Sequence, residues 1–450
     1  MKIIIIGSGK IGKSIIAHSC QEGHEVVVVD KNAKLIEELV ESYDVIGLVG
    51  NGVSNEIQKQ AGVDKADLVI TASHSDETNI LACMIAKQLG AKHTIARVRS
   101  YEYESQINFL KTDLGITLII NPEKYAALEI MKIINFPEVI RIDSFAKGNV
   151  DMVEIYIPED CQLIGQSLSS ISQKYQVKML ICAVQRNDEV IIPTGNFILQ
   201  SKDKIHIIAK NTNVRLFLQK IGLMESNIKN VLIIGGGKIT TYLGKYLIEN
   251  KYNVKIIEKN YERCLELSQL IPQASIIHGD GSDQKVLQEE GLKDCDTTVC
   301  LTNLDEENII ISLYAYKQKV HKIIAKVNKT SLVGLAESLS MTSIITPAEI
   351  TSSQVVSYIR AKNNSRNNVL TLYKLVNNKV EALEFLATDN CKSLNMQFKN
   401  LKIKKNTLIA AIIRNGEIII PSGNDMILTN DNVIIVTTNQ FFDELDDILE

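Results

Sequence analysis

At 450 residues the chain is longer than one ordinary hydrophobic core spans, and length alone points to about three domains. Its 45% apolar and 23% charged residues are those of a globular protein, and no apolar run approaches the roughly 18 residues of a membrane helix. A net charge of −4 with dispersed Lys and Arg argues against a nucleic-acid footprint.

The first element is an apolar strand over Lys2–Ile6, too short for a signal-peptide core. Gly7-Ser8-Gly9-Lys10-Ile11-Gly12 follows as a turn opening a helix, and a second strand, Glu25–Val29, ends at the acid Asp30. In this order Gly7 permits a tight turn, Gly9 lets backbone approach a pyrophosphate, and Gly12 lets the helix pack closely on the strand. Phosphates would sit at the helix N-terminus, where unpaired N–H groups and the helix dipole favour anions. Asp30 is then placed to accept hydrogen bonds from ribose hydroxyls. Further short apolar strands are predicted at Val45–Val49, Leu68–Thr71, His93–Val98 and Thr117–Ile120, with helical stretches between them. Continuous apolar strands joined by helices predict a doubly wound parallel sheet with its ligand crevice at the strands' C-terminal ends.

After this unit a smaller α+β region is predicted over about residues 139–222, with Val177–Arg186 and Glu189–Ile192 flanking Asn187-Asp188. The chain then repeats itself. Val231-Leu-Ile-Ile-Gly235-Gly236-Gly237-Lys238-Ile239-Thr240 restates the opening strand and turn, and Glu258 stands where Asp30 stood. Gly50-Asn51-Gly52 returns as Gly279-Asp280-Gly281, Asp76-Glu77-Thr78-Asn79 as Asp305-Glu306-Glu307-Asn308, Asn121-Pro122 as Thr346-Pro347, and Ile191–Asn196 as Ile419–Asn424. A nearly constant offset through all of these is the mark of tandem duplication. The predicted fold class is α/β: two doubly wound parallel-sheet Rossmann domains (1–135 and 229–360), each followed by a small α+β C-terminal domain (139–222 and 366–450). Asn415-Gly416 between Leu408–Arg414 and Glu417–Ile420 is a strong hairpin signal, because both central residues of that turn need positive φ. Asn135–Glu138 and Arg360–Asn368 read as linkers.

Around the first crevice, Lys10 could meet a terminal phosphate as a flexible point charge, or simply be a solvated turn lysine. Asn51 could hydrogen-bond an adenine edge or ribose, or merely tolerate a left-handed turn. The loop carrying Ser73 and His74 must border a bound nucleotide in this topology. Asp76 reads as an N-cap for an Asn79–Leu89 helix. Arg97 could clamp phosphate oxygens through two donors, the alternative being a surface salt bridge. In the second copy Gly235, Gly237, Lys238, Glu258, Asp280 and Lys326 occupy the matching places. Thr240 replaces the third glycine, which should push the helix off the strand or demand a compensating shift.

The eight cysteines form no Cys-x-x-Cys pair and mostly fall in apolar runs, as expected of buried free thiols in a reducing cytosol. Seven scattered histidines offer no metal spacing. Tyr358-Ile-Arg-Ala-Lys362 has the Tyr-x-x-x-Lys spacing of some nicotinamide reductases but lacks a serine partner and a counterpart in the first copy. No nucleophile elbow, Walker-type loop or catalytic carboxylate pair is present, so no catalytic residue is assigned.

Together these features resemble the TrkA family, the peripheral regulatory subunits of bacterial Trk potassium-uptake systems, built from regulator-of-conductance-of-potassium domains. The likeness spans essentially the whole chain. It implies a non-enzymatic regulator binding NAD(H) or ATP/ADP at its Rossmann crevices. It also implies assembly into a homo-oligomeric ring, docked on a potassium-translocating membrane subunit at the cytoplasmic face. By that resemblance Gly7, Gly9 and Gly12 would receive phosphates, Asp30 would hold ribose, Asn51 and Ser73 would border the adenosine, Arg97 would meet phosphate, and Gly52 belongs to the same cofactor-binding set. Some relatives bind cyclic dinucleotides on their small domains. Two alternatives remain open at this stage: a nicotinamide-dependent oxidoreductase with substrate pockets in the small domains, and a nucleotide sensor for some other partner.

Overall fold

Ile3–Ile6 lie almost wholly out of water, so β1 (Lys2–Ile6) forms the centre of a sheet covered on both faces. Each such isoleucine contributes about 2 kcal/mol of burial. The structure, a computed structural model, describes residues 1–135, 139–145, 150–187, 189–223, 228–329, 331–334, 343–363, 369–375, 379–439, 442 and 444–450. β1 pairs in parallel with β2 (Glu25–Asp30), which pairs with β3 (Val45–Val49); on its other side lie β4 (Leu68–Thr71), β5 (His93–Arg97) and β6 (Leu118–Ile120). The strand order β3-β2-β1-β4-β5-β6 puts the reversal of direction between β1 and β4, where the crevice of a doubly wound sheet opens.

The next sheet is antiparallel throughout: β7 (Val139–Phe145), β8 (Val150–Tyr156), β9 (Met179–Arg186), β10 (Glu189–Ile191) and β11 (Lys204–Ala209), ordered β10-β9-β11-β8-β7. A second parallel sheet then repeats the first, with β12 (Asn230–Ile234), β13 (Asn253–Glu258), β14 (Ser275–His278), β15 (Thr297–Cys300), β16 (Lys322–Lys326) and β17 (Ser343–Ile345) in the order β14-β13-β12-β15-β16-β17. The last sheet, β18 (Val369–Leu375), β19 (Val380–Leu386), β20 (Thr407–Arg414), β21 (Glu417–Ile419) and β22 (Asn432–Thr437), repeats the antiparallel one as β18-β19-β22-β20-β21. Its hairpin turns on Asn415 at φ +53° and Gly416 at φ +81°, the doubly positive turn that the Asn-Gly pair requires.

Like associates with like. One compact unit is residues Met1–Met131 with Ile228–Val356, the two Rossmann copies; the other is Lys132–Asn227 with Ser357–Glu450, the two small domains. In the second unit, Phe145, Met152, Cys182 and Ile208 of one antiparallel sheet share a core with Val380, Ala382, Ala411 and Ile434 of the other. In the first unit the copies meet reciprocally. Ser14, in the first helix of copy one (Lys10–Gln21), donates to Ser352 Oγ at 3.0 Å, while Tyr242, in the first helix of copy two (Lys238–Glu249), accepts from Asn121 Nδ2 at 2.8 Å. Lys245 Nζ lies 3.3 Å from the centre of the Tyr101 ring.

Two local expectations change. The helix expected from Asn79 begins at Asp76, and its N-cap is Ser75, whose hydroxyl accepts from Thr78 N at 3.1 Å. Asp76 is buried instead and accepts from the backbone N–H groups of Arg99 and Ser100 at 2.9 and 2.8 Å. Of the two stretches read as linkers, Asn135 ends the helix Pro122–Asn135 and Arg360–Asn363 ends the helix Pro347–Asn363. Residues 136–138 and 364–368 lie outside the described residues, as does Asp188 of the first hairpin.

Candidate functional site

The C-terminal end of β1 runs into a turn that only glycine can start. Gly7 has φ +99°, and a Cβ there would stand 2.7 Å from the backbone nitrogen of Ser73 in the loop after β4. Gly235 repeats this at φ +101° against Leu301. Gly12 is needed for a different reason: a Cβ would fall 2.1 Å from the Gly7 carbonyl oxygen. Gly9 has neither constraint. Its φ is −64°, ordinary for any residue, and among the described residues nothing lies within 4 Å of where its Cβ would be. Gly237 is the same, at φ −67° with open space around it. Each sits as the N-cap of its helix with no side-chain cap, so the first N–H groups of both helices keep their capacity for an anion.

At the end of β2 the Asp30 carboxylate accepts from the N–H and hydroxyl of Ser8, both at 2.7 Å through Oδ2, and from Asn32 N at 3.0 Å through Oδ1. Burial alone would raise this carboxyl, but the bonds from Ser8 and Asn32 outweigh it and hold it below its usual range. In the second copy Gly236 replaces Ser8, and the longer Glu258 fills the space: Oε2 accepts from Gly236 N at 2.6 Å and Oε1 from Asn260 N at 2.7 Å. A Cβ on Gly236 would stand 2.8 Å from that Oε2, so the swap of Ser8 and Asp30 for Gly236 and Glu258 is one coupled change.

The remaining predicted residues are placed as follows. Lys10 and Lys238 are exposed at the first position of their helices, while Ile11 and Gly12 are buried behind the turn. Asn51 is exposed and not left-handed; its side chain accepts from Val53 N at 3.4 Å, closing its own turn. Gly52 is buried where a Cβ would strike Ile6 at 2.1 Å, which gives it a packing role. Arg97 is not a surface residue: its side chain is 12% exposed, pairs with Glu123 at 3.5 Å and donates to the Ser73 carbonyl at 3.3 Å. Its Nε is buried and has no hydrogen-bond partner among the described residues, which leaves one donor unspent. In the second copy Lys326 is 9% exposed, and burial pushes its pKa below the ordinary 10.5. Asp305 opposes that shift and Lys10, reaching across from the first copy, adds to it. Asp280 pairs with Lys259 at 2.5 Å, and the bonds from Lys259 and Ser282 take its carboxyl down to about 2.

Four contributors escaped the sequence reading. Asn79 is buried and ties the crevice's two loops together: it accepts from Ser73 N at 2.8 Å and donates to the carbonyls of Ser73 and Arg97 at 3.2 and 2.9 Å. Asn308 makes the same three bonds to Thr302 and Lys326. Its retention in both copies was the available signal. Arg263, with no counterpart in the first copy, reaches the second glycine turn. Glu123 became visible only through its pairing with Arg97. The Thr240 hydroxyl donates to the Gly235 carbonyl at 2.5 Å. The Tyr358 and Lys362 pair lies along one helix, Lys362 Nζ 5.8 Å from the Tyr358 ring centre, in the unit that does not carry the crevices. Cys83, Cys182 and Cys300 are fully buried, and burial pushes each up to about 12. Among the described residues no cluster of His, Cys, Asp or Glu is placed to hold a metal, and no helix is long and apolar enough to cross a membrane.

Fold and site define a tandem Rossmann protein with a glycine cradle at each switch point and a pair of antiparallel domains in a second unit. The TrkA-N domain family matches residues 3–122 and 231–347, and the TrkA-C domain family matches residues 152–222 and 382–450. The chain belongs to the TrkA family. Similar proteins include a Trk system potassium uptake protein TrkA from Halomonas elongata, 29% identical over 441 residues and covering 97% of this chain and 95% of that one. A Trk system potassium uptake protein TrkA homolog from Methanosarcina mazei is 31% identical over 447 residues, covering 97% of each chain. Among solved structures, the GsuK RCK domain superposes with a TM-score of 0.64 at 16% identity, covering 98% of this chain and 92% of that one. The GsuK channel bound to NAD gives 0.63 at 15% identity, covering 98% and 77%; at such identities the likeness is one of fold.

Proposed function

We propose that this chain is a nucleotide-binding regulatory subunit of a Trk-type potassium-uptake system, and that each Rossmann crevice takes an adenine nucleotide such as NAD(H) or ADP/ATP. The observation that carries this reading is the pair Gly9 and Gly237. Neither glycine is required by its own backbone or by a neighbour among the described residues, and at the start of each crevice helix that open backbone lets a phosphate approach closely. Backbone N–H groups at a helix start suit phosphate, and an acid at the end of the next strand suits a ribose diol. Asp30 and Glu258 would disfavour a 2′-phosphate by charge. Arg97 and Lys326, at the end of the fifth strand of each sheet, supply positive charge toward the phosphate tail. In the solved structures of GsuK, NAD and ADP are the nucleotides named as bound, which supports the same ligand class.

The action we infer is differential binding without bond making. The seam between the Rossmann copies is polar at Ser14–Ser352 and Asn121–Tyr242, and it lies beside both glycine helices. A nucleotide that prefers one arrangement of that seam shifts the protein by the difference in its affinity for the two arrangements and no more. A hundredfold preference supplies about 2.7 kcal/mol per site, and several chains assembled as a ring at the membrane's inner face would sum it. A potassium-translocating membrane subunit would receive that bias. The test is titration of the purified chain with ATP, ADP, NAD⁺ and NADH. Saturable binding of at least one supports the reading, and undetectable binding of all four overturns it. Loss of potassium-limited growth on Gly9→Asp substitution then tests the link to transport.

A further inference from the structure

We infer that Arg263 is a positioning residue that keeps the second phosphate cradle in register after Thr240 has replaced the glycine that packs the first. This rests on the reading of the crevices as nucleotide sites. The problem Thr240 creates is visible in the first copy, where a Cβ on Gly12 would come within 2.1 Å of the Gly7 carbonyl oxygen. A threonine there must move the helix or the turn. In the second copy the helix gives way: its first bond, Thr241 N to the Gly237 carbonyl, is 3.3 Å long, whereas Lys13 N to the Gly9 carbonyl is 2.8 Å. An anion held jointly by the turn and the first helical turn needs those N–H groups in fixed register.

Arg263 spans this loosened joint. Its Nε donates to the Gly236 carbonyl at 2.6 Å, and its Nη2 donates to the Thr241 hydroxyl at 2.6 Å and the Gly237 carbonyl at 3.4 Å. One rigid guanidinium thus ties the turn to the helix across the opening that Thr240 makes. Its own position derives from the ribose-type acid: Glu258 accepts from Asn260 N, and the Asn260 side chain accepts from Arg263 N at 3.0 Å. The pairing of Nη1 with Glu266 at 2.7 Å is an ordinary helical pair and leaves the other three bonds unexplained. A cation at the carbonyl end of a peptide also polarises the N–H at its other end, strengthening the donors an anion would use. The first copy has Leu35 at the matching place, three residues after the N-cap Asn32, and its Lys13 turns away to Glu38 at 3.0 Å. With Gly12 in place no brace is needed.

The experiment uses the full chain carrying Gly9→Asp, so that only the second crevice reports, titrated calorimetrically with ADP and with NADH. Adding Arg263→Leu is expected to raise Kd about tenfold or more with the melting temperature of the chain little changed, and Arg263→Gln to weaken binding similarly. Adding Thr240→Gly to Arg263→Leu is expected to bring Kd back to within about threefold of the starting value, a rescue that a general packing role would not produce. Unchanged affinity in both Arg263 variants, or a Thr240→Gly change that fails to rescue, overturns the inference. Binding by the Gly237→Asp chain with none by the Gly9→Asp chain overturns it too while sparing the nucleotide reading of the first crevice. Absence of binding in both chains, and in the unmodified one, sinks the nucleotide reading itself.

Discussion

The two crevices of one chain solve the same problem with different parts. In the first, Ser8 and Asp30 close the turn, Gly12 brings helix against strand, and Arg97 with Glu123 lines the far side. In the second, Gly236 and Glu258 close the turn, Thr240 with Arg263 replaces the glycine contact, and Lys326, donating to the Leu301 carbonyl at 3.5 Å and facing Asp305, stands at the place of Arg97. Strand order, the left-handed first glycine and the open second glycine are common to both. What a duplicated fold holds fixed is therefore backbone space and direction. The side chains that secure that backbone are exchanged in sets, since a longer acid needs a smaller neighbour and a bulkier helix residue needs a brace.

The largest expected effect separates the copies outright. Gly9→Asp should abolish nucleotide binding at the first crevice, weakening it by more than about a hundredfold, because a carboxylate would occupy the phosphate position. The fold should tolerate it, as open space and an ordinary φ allow, with melting temperature as the check. Gly237→Asp should do the same at the second crevice alone. Next in size is Gly12→Thr, which copies the second crevice into the first without its brace. It should cost about 1–3 kcal/mol of stability in a denaturant titration, through overpacking against the Gly7 carbonyl, and should weaken the first site. Adding Leu35→Arg should recover part of the lost affinity; no recovery would mean that the brace does not transfer.

Smaller effects come from pH. Arg97 keeps its charge across the whole accessible range, whereas buried Lys326 loses its proton below the ordinary lysine value of 10.5. As pH rises toward the ordinary lysine value the second crevice should lose affinity before the first does, as site-isolated titrations would register. Asp30 acts at the acid end. Its folded pKa lies below its unfolded one of about 3.9, so the stability from its bonds to Ser8 and Asn32 is present above that value and lost as pH falls through the folded one. Asp30→Ala should therefore flatten the acid limb of the stability profile below about pH 4. The smallest effect is expected at Lys259→Ala, which breaks an exposed pair with Asp280 and should leave the melting temperature unchanged.

Much of this was legible before any coordinates. Continuous apolar runs such as Ile3–Ile6 leave no solvent face and so announce a buried parallel strand, and the Gly7–Gly12 spacing marks the switch point. What the sequence withheld was long-range or exchangeable. Ser75 and Asp76 are both competent caps; the choice falls to Ser75 because the Asp76 carboxylate is used by Arg99 and Ser100, more than twenty residues on. The association of Rossmann with Rossmann and small domain with small domain depends on cores such as Cys182 against Ala411, which have no local signature. Arg263 was hidden because the positive charge moved from one helix to the next, Lys13 and Leu35 giving way to Thr241 and Arg263, which breaks the repeat at the positions that matter.

The most direct test is the count of nucleotides held per chain, by native mass spectrometry of the full protein saturated with ADP or NADH. Two per chain are expected for the unmodified protein, one for each of the Gly9→Asp and Gly237→Asp chains, and none for the double variant. A count of zero in the unmodified protein, or a count that the aspartates leave untouched, would contradict the assignment of the cradles.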